Sequence, residues 1–171
     1  MRVVVSIAEH ERDMALRWMD WVCELGGTEN HSLHIIPAAG MDMKEIYAKA
    51  DKAFPNSGVT TQIDYEEQTS DWQNKEQLRS ASGPNSAFRQ VAWHIFQNKT
   101  GPWFWCELDC IPLRKDWLDR LEAEYKVAVS LKKVFMGAEV NIENVPPHLS
   151  GCSCYPQNVP EEAPTLVMRT N

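Results

Sequence analysis

Positive charge is scarce in this chain. Its 171 residues carry 17 Lys plus Arg against 24 Asp plus Glu, a formal net charge of −7, and no basic run exceeds Lys132-Lys133. A broad nucleic-acid surface needs clustered cations to displace counterions, so this composition argues against one, while leaving room for a nucleotide held through a metal. No apolar run approaches the roughly 18–20 residues that span a bilayer, and no basic-then-apolar leader precedes the opening VVVSI, so a soluble, cytoplasmic domain without a membrane segment is expected. Internal repeats and low-complexity tracts are absent. The five cysteines (Cys23, Cys106, Cys110, Cys152 and Cys154) are an odd number in a chain large enough to need no staple, and no His or second Cys pair sits at zinc-finger spacing. Reduced, structural thiols are expected, with Cys152 and Cys154 on one face if their segment is extended.

The hydrophobic content of 43% suffices for one core of ordinary size. Val3 to Ile7 is short, β-branched and continuously apolar, as a strand covered on both faces should be. Met14, Trp18, Trp21, Val22 and Leu25 recur at helical spacing over 12–25, which assigns both tryptophans to the core, and Gly26-Gly27 stops the helix. A second strand is predicted over 32–36. Asp42 and Glu45 form a capping box for a helix over 43–53, with Met41 and Ile46 as its staple. A weak strand over 59–63 leads into residues 64–83, polar and aperiodic around Tyr65 and Trp72, which read as a binding loop or lid. Phe88, Val91, Ala92, Ile95 and Phe96 mark an amphipathic helix feeding an aromatic strand over 103–108. A helix capped by Asp116, with Asp119 at its third position, follows Pro112, and strands over 134–136, broken by Gly137 and resuming at 138–140, and 150–155 close the pattern. This alternation predicts an α/β fold with a mostly parallel sheet and helices on both faces. Ligands gather at the carboxyl ends of strands in such folds.

Glu107-Leu108-Asp109 stands at one of those ends. In extended backbone residues i and i+2 point the same way, so two carboxylates would share one side while Leu108 turns to the core. Acids that close repel unless protonated or bridged by a cation, and Mg²⁺ or Mn²⁺ suits oxygen ligands while keeping phosphates in its shell. Of the 7 tryptophans, those at 72, 93 and 103 are not all demanded by these faces. Trp72, in polar surroundings, is the best placed to stack on a base or sugar.

VVVSI, the aromatic strand running into ELDCIP, the WLDRL helix, and the later FMGAE with HLSGCSCYP together resemble the nucleotide-binding core of a GT-A type glycosyltransferase. The resemblance covers roughly residues 1–156, and it implies a single nucleotide-sugar-binding domain over 1–160 with a tail over 161–171 at which further C-terminal structure would begin. The family's acidic D-x-D motif, which holds a divalent ion and through it the donor diphosphate, falls on Glu107 and Asp109, with Glu in place of the first Asp. The resemblance makes Glu9, His10 and Arg12 candidates for the base and ribose, Asn85 and Arg89 for the nucleotide sugar, and His148 for a third metal ligand. Glu139 is placed as the acceptor base of an inverting reaction; without such a base the reaction would retain configuration. The implied activity is metal-dependent transfer of a sugar from a nucleoside diphosphate to an acceptor hydroxyl, with Mn²⁺ or Mg²⁺ as cofactor. Two other readings stand beside it: a non-catalytic interaction or scaffold domain, and a nucleotidyltransferase or pyrophosphorylase. Against the last, Ala8-Glu9-His10-Glu11-Arg12 has none of the glycines of a phosphate loop.

Overall fold

The computed structural model describes residues 1–38, 40–56, 58–59, 83–140 and 148–164, with backbone alone at 58–59, 83–86, 140 and 148–150. The lid expected over 64–83, Trp72 and most of the strand expected over 59–63 therefore lie outside the described residues.

Val3, Val4, Val5 and Ile7 are fully buried in strand β1 (Arg2–Ile7) because the strand has protein on both sides. Val3, Val5 and Ile7 belong to one core and Val4 to a second. The same alternation recurs in β2 (Ser32–Pro37), where Leu33 and Ile35 oppose Ile36, and in β4 (Trp103–Trp105), where Phe104 opposes Trp103 and Trp105. The first core is closed by helices α1 (Arg12–Leu25), α2 (Lys44–Ala53) and α4 (Trp117–Ser130). The second is closed by α3 (Gly83–Asn98) and the short α5 (Val159–Glu162), whose Val159 is fully buried. Chain placed in the tail from 161 thus continues a helix already packed on the domain. No helix among the described residues is long and apolar enough to cross a membrane.

With β3 (Gly58–Val59), β5 (Met136–Val140) and β6 (His148–Tyr155), the sheet has the order β3-β2-β1-β4-β6-β5. β3, β2, β1 and β4 run parallel, whereas β6 is antiparallel to both β4 and β5. Gly137 does not break β5. It pairs with Ser153 at a point where any larger residue would strike the Ser153 side chain. His34 is a buried histidine held neutral, its pKa lowered to about 3 by burial and then by Arg2 and His94.

Several side chains do something other than their sequence pattern suggested. The strand expected over 103–108 ends at Trp105. Asp42 accepts from the Lys44 amide at 3.1 Å, but Glu45 faces Arg12 at 3.4 Å instead of completing a capping box. Asp116 occupies the cap position of α4 without capping it, because its carboxylate accepts from Arg114 and, at 2.7 Å, from Arg120. Asp119 pairs with His31 at 3.1 Å. Trp18 is buried as expected, but Trp21 is 43% exposed and donates to the Pro112 carbonyl at 2.7 Å.

Gly27 ends α1 with φ +82°, and a Cβ there would run into the Lys115 backbone carbonyl. Both the left-handed backbone and the close approach require glycine. Gly27→Ala is expected to lower stability by about 2–4 kcal/mol in urea unfolding. A change below about 0.5 kcal/mol would show that helix and loop do not meet there.

Candidate functional site

β1 and β4 run parallel and end at the same side of the sheet, so their exit loops face each other. After β1 the chain makes a 3-10 turn, Glu9–Glu11, in which Glu11 Oε2 accepts from the Ala8 amide at 2.9 Å. After β4 the Cys106 amide still bonds the Val4 carbonyl at 2.9 Å, and the chain then folds into a turn closed by Cys110 N donating to Glu107 O at 3.0 Å. A cavity of about 280 Å³ lies between, lined by Ser6, Glu11, Met14, Trp105, Cys106, Glu107, Leu108 and Asp109.

The two acids thus sit on a tight turn and not on extended backbone, which corrects the pleat argument for their proximity. Leu108 is buried at the turn's centre while Glu107 and Asp109 remain exposed on either side. Their fields meet: the Glu107 carboxyl is pushed above its ordinary range by partial burial, then by Asp109 and by Glu11. The turn is pinned from outside by α1, whose Trp18 Nε1 donates to the Cys110 carbonyl at 3.0 Å. Across from it, the β4–β6 register continued past Trp105↔Ser153 sets Glu107 opposite Gly151, where any Cβ would overlap the Glu107 carboxylate. Glycine at 151 leaves that carboxylate room to lie across β6.

Three thiols lie under the turn, although the sequence pattern gave them separate structural roles. The thiols of Cys106 and Cys110 and, at 3.3 Å, the Glu107 amide are the donor neighbours of Cys152 Sγ, the Cys106 thiol also lying 3.5 Å from the Glu107 carbonyl. These donors, Cys106 foremost, bring the Cys152 pKa down to about 7. Burial and its bond to Cys152 push Cys110 up to about 12. All five cysteines are free thiols.

Glu107 and Asp109 share the cleft, and Glu11 joins them. The other sequence candidates are dispersed. Glu9 and His10 are exposed on the 3-10 turn beside the cleft. Arg12 does not line the cavity; its guanidinium bonds the Asp42 carbonyl and Glu45, tying α1 to α2. Asn85 and Arg89 lie on α3, which covers the other face of the sheet. His148 begins β6 at the same end of the sheet as the acidic turn, backbone alone being described there. Glu139 is exposed on β5, opposite Leu149 and beside an irregularity in the ladder. Two strand spacings and two residues of rise put it on the order of 12 Å from Glu107. Trp103 is fully buried, stacked on Tyr155 and bonded to the Pro156 carbonyl at 3.0 Å, so it offers no platform. Glu11 was the residue missed, and the phase of the turn rather than any motif directs it inward.

Oxygen donors on adjoining loops, with a carboxyl strained by like charge, suit a hard divalent ion. Among the described residues no group of three or more His, Cys, Asp or Glu side chains is arranged to hold a metal unaided. Glu107 and Asp109 supply two carboxylates on one turn and do not by themselves complete a coordination shell.

No protein-family model matches the chain, and no curated protein matches it. A solved structure does. The chain superposes on S. aureus TarS 1-349, a wall teichoic acid glycosyltransferase, with TM-score 0.49 and 12% identity over 94% of this chain and 48% of that one. The chain spans about half the length of that structure.

The raised Glu107 pKa makes its ionised form a cost to the folded state. The associated stability is complete below the unfolded carboxyl pKa and is lost as pH rises through the higher folded value. Glu107→Gln is therefore expected to raise Tm at neutral pH in chelator, with the gain vanishing below about pH 4. A gain that persists at low pH would assign it to packing instead of charge.

Proposed function

We propose that this domain is the donor-binding core of a GT-A type, metal-dependent glycosyltransferase, moving a sugar from a nucleoside diphosphate to an acceptor hydroxyl. The observation that carries the proposal is the Glu107–Cys110 turn, which turns two like-charged carboxylates into a cleft at the carboxyl ends of parallel strands. Glu107 and Asp109 would hold Mn²⁺ or Mg²⁺, with the site completed by water and diphosphate oxygens. Such an ion, when bound, neutralises the charge that develops on a departing diphosphate.

The chain's own residues supply the rest. Trp105 and Met14 give the cleft apolar walls against which a sugar or base can lie. Glu9 and His10, exposed on the adjoining turn, are within the loop that would meet base and ribose. Leu108, buried beneath the acids, keeps their spacing from relaxing. Glu139 is the candidate to take the proton from the acceptor hydroxyl, which would make the reaction inverting. Its separation from the acids leaves room for a sugar between them. Glu11 adds a third negative group that raises the local preference for a cation, and His148, which begins β6 at that end of the sheet, is the candidate third ligand.

Calorimetric titration with UDP, GDP and ADP, each with and without Mn²⁺, tests the proposal. Wild-type protein is expected to bind one of them only with the ion, Asp109→Ala to lose that binding at least 100-fold while staying folded, and Glu107→Ala to weaken it less, because water can replace one carboxylate on a hydrated ion. Equal binding by wild type and Asp109→Ala would remove the site. Binding of no nucleotide by the wild type would favour the interaction-domain reading.

Gly151→Ala offers a second test that leaves both acids in place. Its methyl would displace the Glu107 carboxylate, so Mn²⁺-dependent binding should fall about tenfold, roughly 1.4 kcal/mol. Unaltered affinity would show that Glu107 does not need its seat on β6.

A further inference from the structure

The three sulfurs under the acidic turn take no part in the reaction described above. We propose that Cys110 and Cys152 are a peroxide-responsive dithiol that oxidises to a disulfide, clamping the Glu107–Cys110 turn to β6. The pair is remote in sequence and is assembled by the sheet. The antiparallel register Phe104↔Cys154 and Trp105↔Ser153, carried one step on, sets Cys106 opposite Cys152. The turn closed by Cys110 N and Glu107 O then brings Cys110 back to the same sulfur. Cys152 Sγ accepts from the Glu107 amide at 3.3 Å and Cys106 Sγ lies 3.5 Å from the Glu107 carbonyl, so the turn that carries Cys110 is seated on the Cys152 sulfur.

Access selects among the three. Cys110 and Cys152 are half-buried, whereas Cys106 is 2% exposed. Cys154, on the same strand face as Cys152, is fully buried. Cys23 is exposed on α1, and its thiol lies against the Lys52 carbonyl. Cys110 and Cys152 are therefore more open to an oxidant in solution than Cys106, which only borders the cleft, or Cys154.

The chemistry balances with hydrogen peroxide as oxidant. The Cys152 sulfur attacks the O–O bond, an S–O bond forms, and the thiol proton leaves with the departing oxygen as water. The Cys110 sulfur then attacks that sulfenic sulfur; the S–S bond forms, the S–O bond breaks, and a second water leaves. The two thiols give up two electrons and two protons, all taken up by peroxide.

The test uses the full chain carrying Cys23→Ser, which removes the exposed thiol available for cross-linking between molecules. The folded protein is treated with stoichiometric peroxide, alkylated, and cleaved after Glu107, which separates Cys106 from Cys110. Mass mapping is expected to find Cys110 joined to Cys152 with loss of two hydrogens, reversed by dithiothreitol. The oxidised protein should melt several degrees higher than the reduced one, as closing so long a loop requires. The link should persist in Cys106→Ser and vanish in Cys110→Ser. A Cys106–Cys152 link, sulfinic acid on Cys152 without a link, or unreacted thiols would each overturn the proposal. Mapping on the parent protein decides even where a variant fails to fold. No nucleotide or metal enters the assay, so its outcome is independent of the donor-site reading.

Discussion

Two carboxylates are held on one four-residue turn against their mutual repulsion, and much of the surrounding structure opposes that repulsion. The turn's own bond from Cys110 N to Glu107 O, the Trp18 indole on the Cys110 carbonyl, and the Glu107 amide on Cys152 Sγ are its fastenings. Each such bond contributes about 1 kcal/mol net, and burying Leu108 adds about 1.5–3 kcal/mol. The like-charge cost at Glu107, to which Asp109 and Glu11 both contribute, acts against these fastenings. A cation would remove the cost without moving the backbone. The charge of this turn is assembled during folding, so an ion of the kind proposed would need little further ordering to bind.

The fastening by α1 links the site to the far end of the same helix. Trp18 and Trp21 are three residues apart on α1, and they take the Cys110 and Pro112 carbonyls at 3.0 and 2.7 Å. Just past the helix end, Gly27 lets the Lys115 backbone approach the helix terminus. The loop between the acidic turn and α4 is thus laid along α1 from its middle to its end. Because α1 begins directly after the 3-10 turn bearing Glu11, both walls of the cleft are indexed to one rigid element.

The helical frame was legible because hydrophobic periodicity and glycine stops act locally. The helix expected over 12–25 is α1, residue for residue, and the helix over 43–53 differs from α2 by one position. Competing partners at a distance were not legible. Glu45 completes a capping box by pattern, but Arg12, more than thirty positions away, offers it a charge. Asp116 likewise prefers two arginines to its own helix amides. Trp21 fits the apolar stripe of α1, yet its indole is used at the rim for the Pro112 carbonyl. Glu107 and Asp109 were picked out by residue type, and their geometry was misjudged because a strand's length is fixed by its neighbours. The β1 and β6 ladders end at Trp105 and the last bond to β1 is made by the Cys106 amide, so from Glu107 the chain is free to turn where the pattern still reads as extended. Glu11 and the thiol cluster needed tertiary register, which no local window contains.

The change of direction at β6 has the largest consequence for the site. Had β4 been followed by another parallel strand, its neighbour's amino-terminal half would lie at the opposite end of the sheet from the acidic turn. An antiparallel β6 instead sends its first residues, His148 to Cys152, past the carboxyl end of β4. One strand then supplies three different things there: glycine at 151 as a floor for Glu107, a sulfur at 152 beneath the turn, and a ladder at 149 that places Glu139 on the next strand. β-Strand alternation explains why these do not interfere, since residues 151 and 152 point to opposite faces. The carboxylate is accommodated on one face and the thiols are packed on the other, against the core containing Phe104 and Cys154. A single strand reversal therefore sets both the space for charge above the sheet edge and the sulfur contacts behind it.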